Sequence, residues 1–424
     1  MKKVLFCLFI IIVSLAVVLS GKNIRSSYCE EEPEPEAEQP EIEDKANPFN
    51  NLYSTWVDSV FNSLTPDQRI GQLFFVAAYS NLRRSHVDDI TRLINNHSIG
   101  GLIFFQGGPL RQALLTNLYQ EISQTPLLIG IDGEWGLGMR LDSTISFPRQ
   151  RTLGNIEDVE LIYQMGLEIG KQCRYMGIHI NFAPVVDINN NPLNRVIGTR
   201  SFGDNSHEVA RRALAYMTGM QEQKILTSAK HFPGHGNTAV DSHYALPIVT
   251  QSYHELDTLE WHPYKELISN NLTGIMAAHI HVPKLDSTPN LPASLSRRVL
   301  TEILRDSLHF NGLIYTDALN MKGVADHFKS GDMEVRALQA GVDVLLMPSD
   351  IPVAVAAIIT AIENCLLDWP QIEIACRRIL AAKEWAGLNN YEPIDTNGLH
   401  GRINSEEART LNRSLVEASR LRRQ

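Results

Sequence analysis

The stretch 230–243 reads Lys230-His231-Phe232-Pro233-Gly234-His235-Gly236-Asn237-Thr238-Ala239-Val240-Asp241-Ser242-His243. Three histidines, a lysine and an aspartate crowd a segment with little apolar surface to bury. An imidazole titrates near about 6.5, so such a segment is equipped for acid and base work near neutral pH. Dense titratable clusters on loops mark sites more often than they merely satisfy local backbone groups, which is the competing reading. A second group, Tyr315-Thr316-Asp317-Ala318-Leu319-Asn320-Met321, sets a carboxylate at the end of an apolar run.

Positioning these residues falls to an alternation of strand-like and helical patterns. Apolar runs at 73–77, 101–105, 127–131, 178–182, 225–229, 274–278, 313–316 and 344–347 read as strands. Amphipathic patterns near 86–97, 109–123, 157–176, 206–223, 255–270, 296–308, 332–340 and 351–366 read as the helices between them. Before the first strand, Thr65 is placed to cap a helix with Pro66 at its first position. Eight strands, each followed by a helix, predict an α/β fold of the (β/α)8 TIM-barrel type, with one catalytic domain. A doubly wound open sheet is the alternative, but no Gly-x-Gly-x-x-Gly turn follows the first strand. Asp132, Asp187, Lys230, His231, His279, His281 and Asp317 all fall at or just past the carboxyl end of a predicted strand. In a barrel those positions converge on one mouth, where such enzymes keep their active sites. The strand at 225–229 is expected to end before Lys230, leaving Lys230 and His231 in the loop.

Composition is that of an ordinary globular protein, and the charge distribution narrows its partners. Four basic residues lie in 1–29 and nine acids in 30–44, so a net charge of -10 leaves 45–424 at -5. A mildly acidic body offers no phosphate-binding face, which excludes nucleic acid as the expected partner. Lys2 and Lys3 precede an apolar run at 4–19, the pattern of an export signal; an uncleaved amino-terminal anchor, and with it a possible membrane tether, is the second reading. The Pro/Glu-rich segment that follows is expected to be a disordered, extended spacer. The expected divisions are therefore 1–21 signal or anchor, 22–48 acidic linker, 49–390 barrel and 391–424 tail. An exported, periplasmic or cell-envelope protein is implied. Cys7, Cys29, Cys173, Cys365 and Cys376 show neither metal-ligand spacing nor a disulfide framework, and the last three sit in helical patterns.

Several motifs recur together: Ile131-Asp132-Gly133-Glu134, Arg140, Asn194-Arg195-Val196-Ile197-Gly198-Thr199-Arg200-Ser201-Phe202-Gly203, Lys230-His231-Phe232-Pro233-Gly234-His235-Gly236, Asp241-Ser242-His243 and Thr316-Asp317. In this order and spacing the chain resembles glycoside hydrolase family 3, in particular its β-N-acetylglucosaminidase branch, over roughly residues 60–390. The resemblance implies retaining hydrolysis, in which a nucleophile lies beneath the anomeric carbon and a proton donor at the leaving oxygen. It assigns Asp317 as nucleophile and His243 as acid and base, with Asp241 as its partner. An aspartate two residues from a histidine can fix its tautomer and stabilise its protonated form. By the same resemblance Asp132, Arg140, Arg200, Lys230 and His231 hold the non-reducing sugar. His235 is expected to brace the loop, with Asp187 and His279 as supports. No cofactor and no metal are implied. The expected reaction is release of terminal N-acetylglucosamine from peptidoglycan-derived or related glycans, with β-glucosidase or β-xylosidase activity as the runner-up.

Two features depart from the family pattern. Glu134-Trp135-Gly136 stands where many relatives have Glu-Gly-Gly, so Trp135 either stacks on a sugar or packs. Many relatives also continue into a second α/β domain, whereas 388–424 here is expected to be an exposed, partly helical tail. Two rival readings remain. A metal-dependent barrel hydrolase would use His231, His235, His279, His281 and Asp317, but 73–83 lacks the histidine pair such sites place after the first strand. A silent sugar-binding barrel would need neither Asp317 nor His243.

Overall fold

Short apolar runs become fully buried parallel strands. In the computed structural model, which describes residues 47–238 and 245–421, these are β1 (Phe74–Ala78), β2 (Gly101–Phe104), β3 (Leu128–Ile131), β4 (Ile180–Asn181), β5 (Leu226–Thr227), β6 (Ala229–Phe232), β7 (Gly274–Ala277), β8 (Leu313–Thr316) and β9 (Leu345–Leu346). Every residue of β2, β3, β6, β7 and β8 is buried, as expected of parallel strands covered on both faces. The strands pair in parallel in the orders β5-β4-β3-β2-β1-β9 and β6-β7-β8, giving a curled α/β sheet. Parallel bridges join the two groups at both ends, Val185 with Lys230 and Tyr315 with Val344. Residues 1–46 lie outside the described part, and with them the expected signal and nearly all of the acidic linker.

Between strands the chain forms the helices that the periodicity predicts. They include Arg84–His97, Pro109–Ile122, Val159–Tyr175, Ser206–Glu222, His262–Ser269, Asp332–Ala340 and Ile351–Glu363. Their starts follow local chemistry. Thr65 and Gln68 form a reciprocal capping box with Pro66 at the first position of Pro66–Gly71, and Asn205 and Asp350 cap the helices after them. Two segments take the wider π turn, Leu256–Glu260 and Arg298–Ser307. The helix Trp369–Trp385, which carries Cys376, packs on Thr55–Ser63, where Arg377 pairs with Asp58 at 2.6 Å.

Two expectations are corrected. The fifth strand does not stop at Ala229: β6 continues through Phe232, so Lys230 and His231 are strand residues. Their burial against the loops after β3 and β4 supplies the extra pairing. Nor is the tail exposed. The Asn117 side chain accepts from Ile394 N–H at 2.8 Å and donates to Ile394 O at 3.0 Å, and Leu399, Ile403, Ala408 and Leu415 are buried. In Glu406–Leu421, Ala408, Leu411, Leu415 and Ala418 recur at three- and four-residue spacing, an apolar stripe that lies on the helix Val159–Tyr175.

Candidate active site

Asp132 directly follows β3, and the glycine-rich turn after it is held rigidly. Asn181, in β4, accepts from Gly133 N–H at 2.8 Å and donates to Gly133 O at 3.1 Å. Gln150 and the Tyr216 hydroxyl donate to Glu134 O at 2.7 and 3.1 Å. So fixed, the two carboxylates share three cations. Lys230 Nζ donates to Asp132 Oδ1 at 2.8 Å and lies 3.0 Å from Glu134 Oε1. Arg140 donates to the other Asp132 oxygen at 2.8 Å, and its guanidinium lies over the Phe105 ring. Arg200 grips Glu134 through both Nε and Nη2, at 3.0 and 2.7 Å, the bidentate geometry that suits a guanidinium. Burial would raise both acids, but Lys230 with Arg140 and Arg200 with Lys230 outweigh it, and both stay below the usual carboxylate range.

Lys230 and His231 are consecutive, yet both serve this cluster. The register of β6 against β7 slips between Lys230 and Phe232, a bulge that re-aims a side chain, and the Lys230–His231 peptide is cis. His231 Nδ1 lies 2.7 Å from Asp187 Oδ2, and Arg200 Nη2 lies 3.3 Å from His231 Nε2. Because a guanidinium can only donate, Nε2 accepts and the proton sits on Nδ1, directed at Asp187. Asp187 also accepts the backbone N–H of His231 and, at 2.7 Å, that of His235. Burial alone would raise Asp187, but His231 and His235 hold it low. His235 is lowered by burial and by His231, while the charge of Asp317 acts in the opposite direction. Asp317 is thus within electrostatic reach of this cluster.

Asp317 follows β8 and is half-buried. Its backbone N–H donates to Ala277 O at 2.9 Å, and its Oδ1 accepts from Ala318 N–H at 2.8 Å. His279 braces the same turn, with Nε2 3.1 Å from Ala318 O and Nδ1 2.7 Å from Ser294 Oγ. His281 faces Leu291 O instead, at 3.0 Å. The structure therefore brings together Asp132, Arg140, Arg200, Lys230, His231 and Asp187. His235 and Asp317 adjoin them, and Asp241 and His243 lie outside the described residues. The Arg149 guanidinium sits 4.4 Å from the ring centre of the half-buried Trp135. Among the described residues no group of three His, Cys, Asp or Glu side chains could hold a metal ion. Cys173, Cys365 and Cys376 are free thiols.

Sequence reasoning quoted Glu134 but gave it no role, although it is the hub of the cation cluster. Asn194 was likewise undervalued: its amide donates to His235 O and Gly236 O at 2.8 and 2.9 Å, tying two loops together. Gly236 permits this approach, since a Cβ there would lie 1.8 Å from Ile188 O.

A curled parallel sheet carries this cluster at its carboxyl edge, and the model of the glycosyl hydrolase family 3 N-terminal domain matches residues 65–382. The chain belongs to glycoside hydrolase family 3. Among curated relatives it is 36% identical over 283 residues to beta-hexosaminidase A of Pseudoalteromonas piscicida, covering 61% of this chain and 47% of the relative. It is 34% identical over 262 residues to a beta-hexosaminidase of Nitrosomonas eutropha, covering 59% and 74%. The chain thus spans about half the length of the first of these and three quarters of the second. Among solved structures it superposes on a family 3 β-N-acetylglucosaminidase from Paenibacillus sp. str. FPU-7 with a TM-score of 0.78 and 33% identity, covering 84% of this chain and 69% of that one.

Proposed function

We propose that the protein is an exo-acting, retaining β-N-acetylhexosaminidase that removes terminal N-acetylglucosamine from cell-wall-derived or related glycans. The observation that carries this reading is the cluster of Asp132, Lys230, Arg140, Arg200 and His231 at the sheet's carboxyl edge, with Asp317 in reach. Paired hydroxyls of a sugar match a carboxylate flanked by cations and a planar guanidinium. Asp317 attacks the anomeric carbon to form a glycosyl-aspartate. His243, with Asp241 as the partner that the family resemblance assigns, protonates the leaving oxygen and then activates water. The sheet acts as a closed (β/α)8 barrel, which the two bridges between its strand groups favour. The basic start and apolar run at 1–19 support export to the cell envelope.

The test is a panel of nitrophenyl β-glycosides. The N-acetylglucosaminide should be turned over well above the glucoside and xyloside, and Asp317→Asn should lose at least about a thousandfold in kcat with the fold intact. His243→Ala should slow substrates with poor leaving groups far more than activated ones, because only the former need protonation. Labelling of any side chain other than Asp317 by a slow fluorosugar would overturn the assignment.

A further inference from the structure

We propose that Glu260 is a positioning residue for this reaction, a buried carboxyl that pins the segment carrying His235 against the segment carrying Asp187. Glu260 closes the π turn Leu256–Glu260, where Trp261 N–H donates to Leu256 O at 2.8 Å. The wide turn lets two consecutive residues serve one loop, a use that π turns often have at functional sites. Trp261 Nε1 donates to Pro233 O at 3.0 Å, and Glu260 lies against Gly234. A Cβ on Gly234 would come within 2.9 Å of Glu260 Cβ and 3.0 Å of its Oε2, so the loop backbone rests on this side chain. On its other side Glu260 Oε1 accepts from Asn190 Nδ2 at 3.1 Å, in the segment after β4.

The surroundings of the carboxyl are neutral: besides Asn190, the Gln251 side chain and the Ile188 backbone reach it, and Oε2 is buried. Among the described residues no cation faces the group, and the titratable neighbours are Asp187 from the segment after β4 and Tyr264 from the following helix, with His235 bound to Asp187 through its N–H. An anion here would be buried, held by neutral donors and set beside a second carboxylate, which is costly. Burial and Asp187 accordingly push Glu260 up to about 7, against the pull of Asn190, Gln251 and the Ile188 backbone. Ionisation puts a charge next to Asp187, whose oxygens hold the His231 ring and the His235 N–H. The clamp on both loops then loosens.

The kinetic readout rests on the hydrolase reading above; the unfolding readout does not. In kcat/KM against pH, E260Q should keep wild-type activity near pH 6 within about threefold and move the alkaline limb up by about one pH unit or more. E260A, which keeps neither shape nor hydrogen bond, should lose on the order of tenfold or more in kcat at every pH. An alkaline limb unchanged in E260Q, or an E260A variant as active as wild type, overturns the proposal. If wild type cleaves no glycoside, the hydrolase reading falls and thermal unfolding decides for Glu260. Because its folded pKa lies above the unfolded 4.5, wild-type stability should decline as pH rises from about 4.5 to about 7. E260Q should lack that decline, and parallel curves would sink the pin.

Discussion

Glu134 has no exposed surface, yet two cations converge on it, and the cation cluster is only as rigid as this carboxylate. Removing its charge strands Arg200, whose side chain is one-fifth exposed, and leaves Lys230 with Asp132 alone. Breaking a buried pair from one side costs about 3–5 kcal/mol, so Glu134→Gln should lower stability by that order in urea unfolding. The pH dependence has a definite sign. Arg200 and Lys230 hold the folded pKa below the unfolded 4.5, so the contribution is complete above about pH 4.5 and lost as pH falls through the folded value. Wild type should lose more stability on the acid side than Glu134→Gln, which keeps only the share due to Asp132 and Asp187 among the acids of this cluster. The residue escaped the sequence reading because its partner Arg200 lies far away in the chain. Nothing local distinguishes a buried acid in a glycine-rich turn from a solvated one.

At the scale of elements, the strands were legible because each is a short apolar run, and the starts of helices because Thr65, Asn205 and Asp350 cap by local chemistry. What the pattern did not reveal was a buried carboxyl: Glu260 stands at helical spacing from the buried Leu256, Tyr264 and Leu267, in a segment that takes the wider π turn. The end of the fifth strand failed for a related reason: Lys230 and His231 are polar, and only contacts with distant acids make burial tolerable there. The tail was judged exposed although its apolar stripe was in the sequence. If it is docked as described, Leu415→Ala should cost about 2–5 kcal/mol in chemical denaturation, where an exposed position would cost almost nothing. Loop contact is testable at Gly236. A Cβ driven into Ile188 O must part the segments after β4 and β6, so Gly236→Ala should reduce kcat/KM on the order of a hundredfold.

For the molecule as a whole, the architecture separates duties. Apolar strands and the docked tail supply cohesion, and the sheet's carboxyl edge collects polar groups that no core would otherwise accept. The three rim cations, Lys230, Arg140 and Arg200, are each matched to a protein carboxylate. A saccharide bound there as proposed would find its hosts already oriented, so few rotamers would freeze on docking. Calorimetry with N-acetylglucosamine should accordingly read a favourable enthalpy and only a slight change in heat capacity, because hydroxyls trade one set of dipoles for another and little oily surface leaves water. Affinity would then come from geometry fixed when the chain folds, before any guest is met.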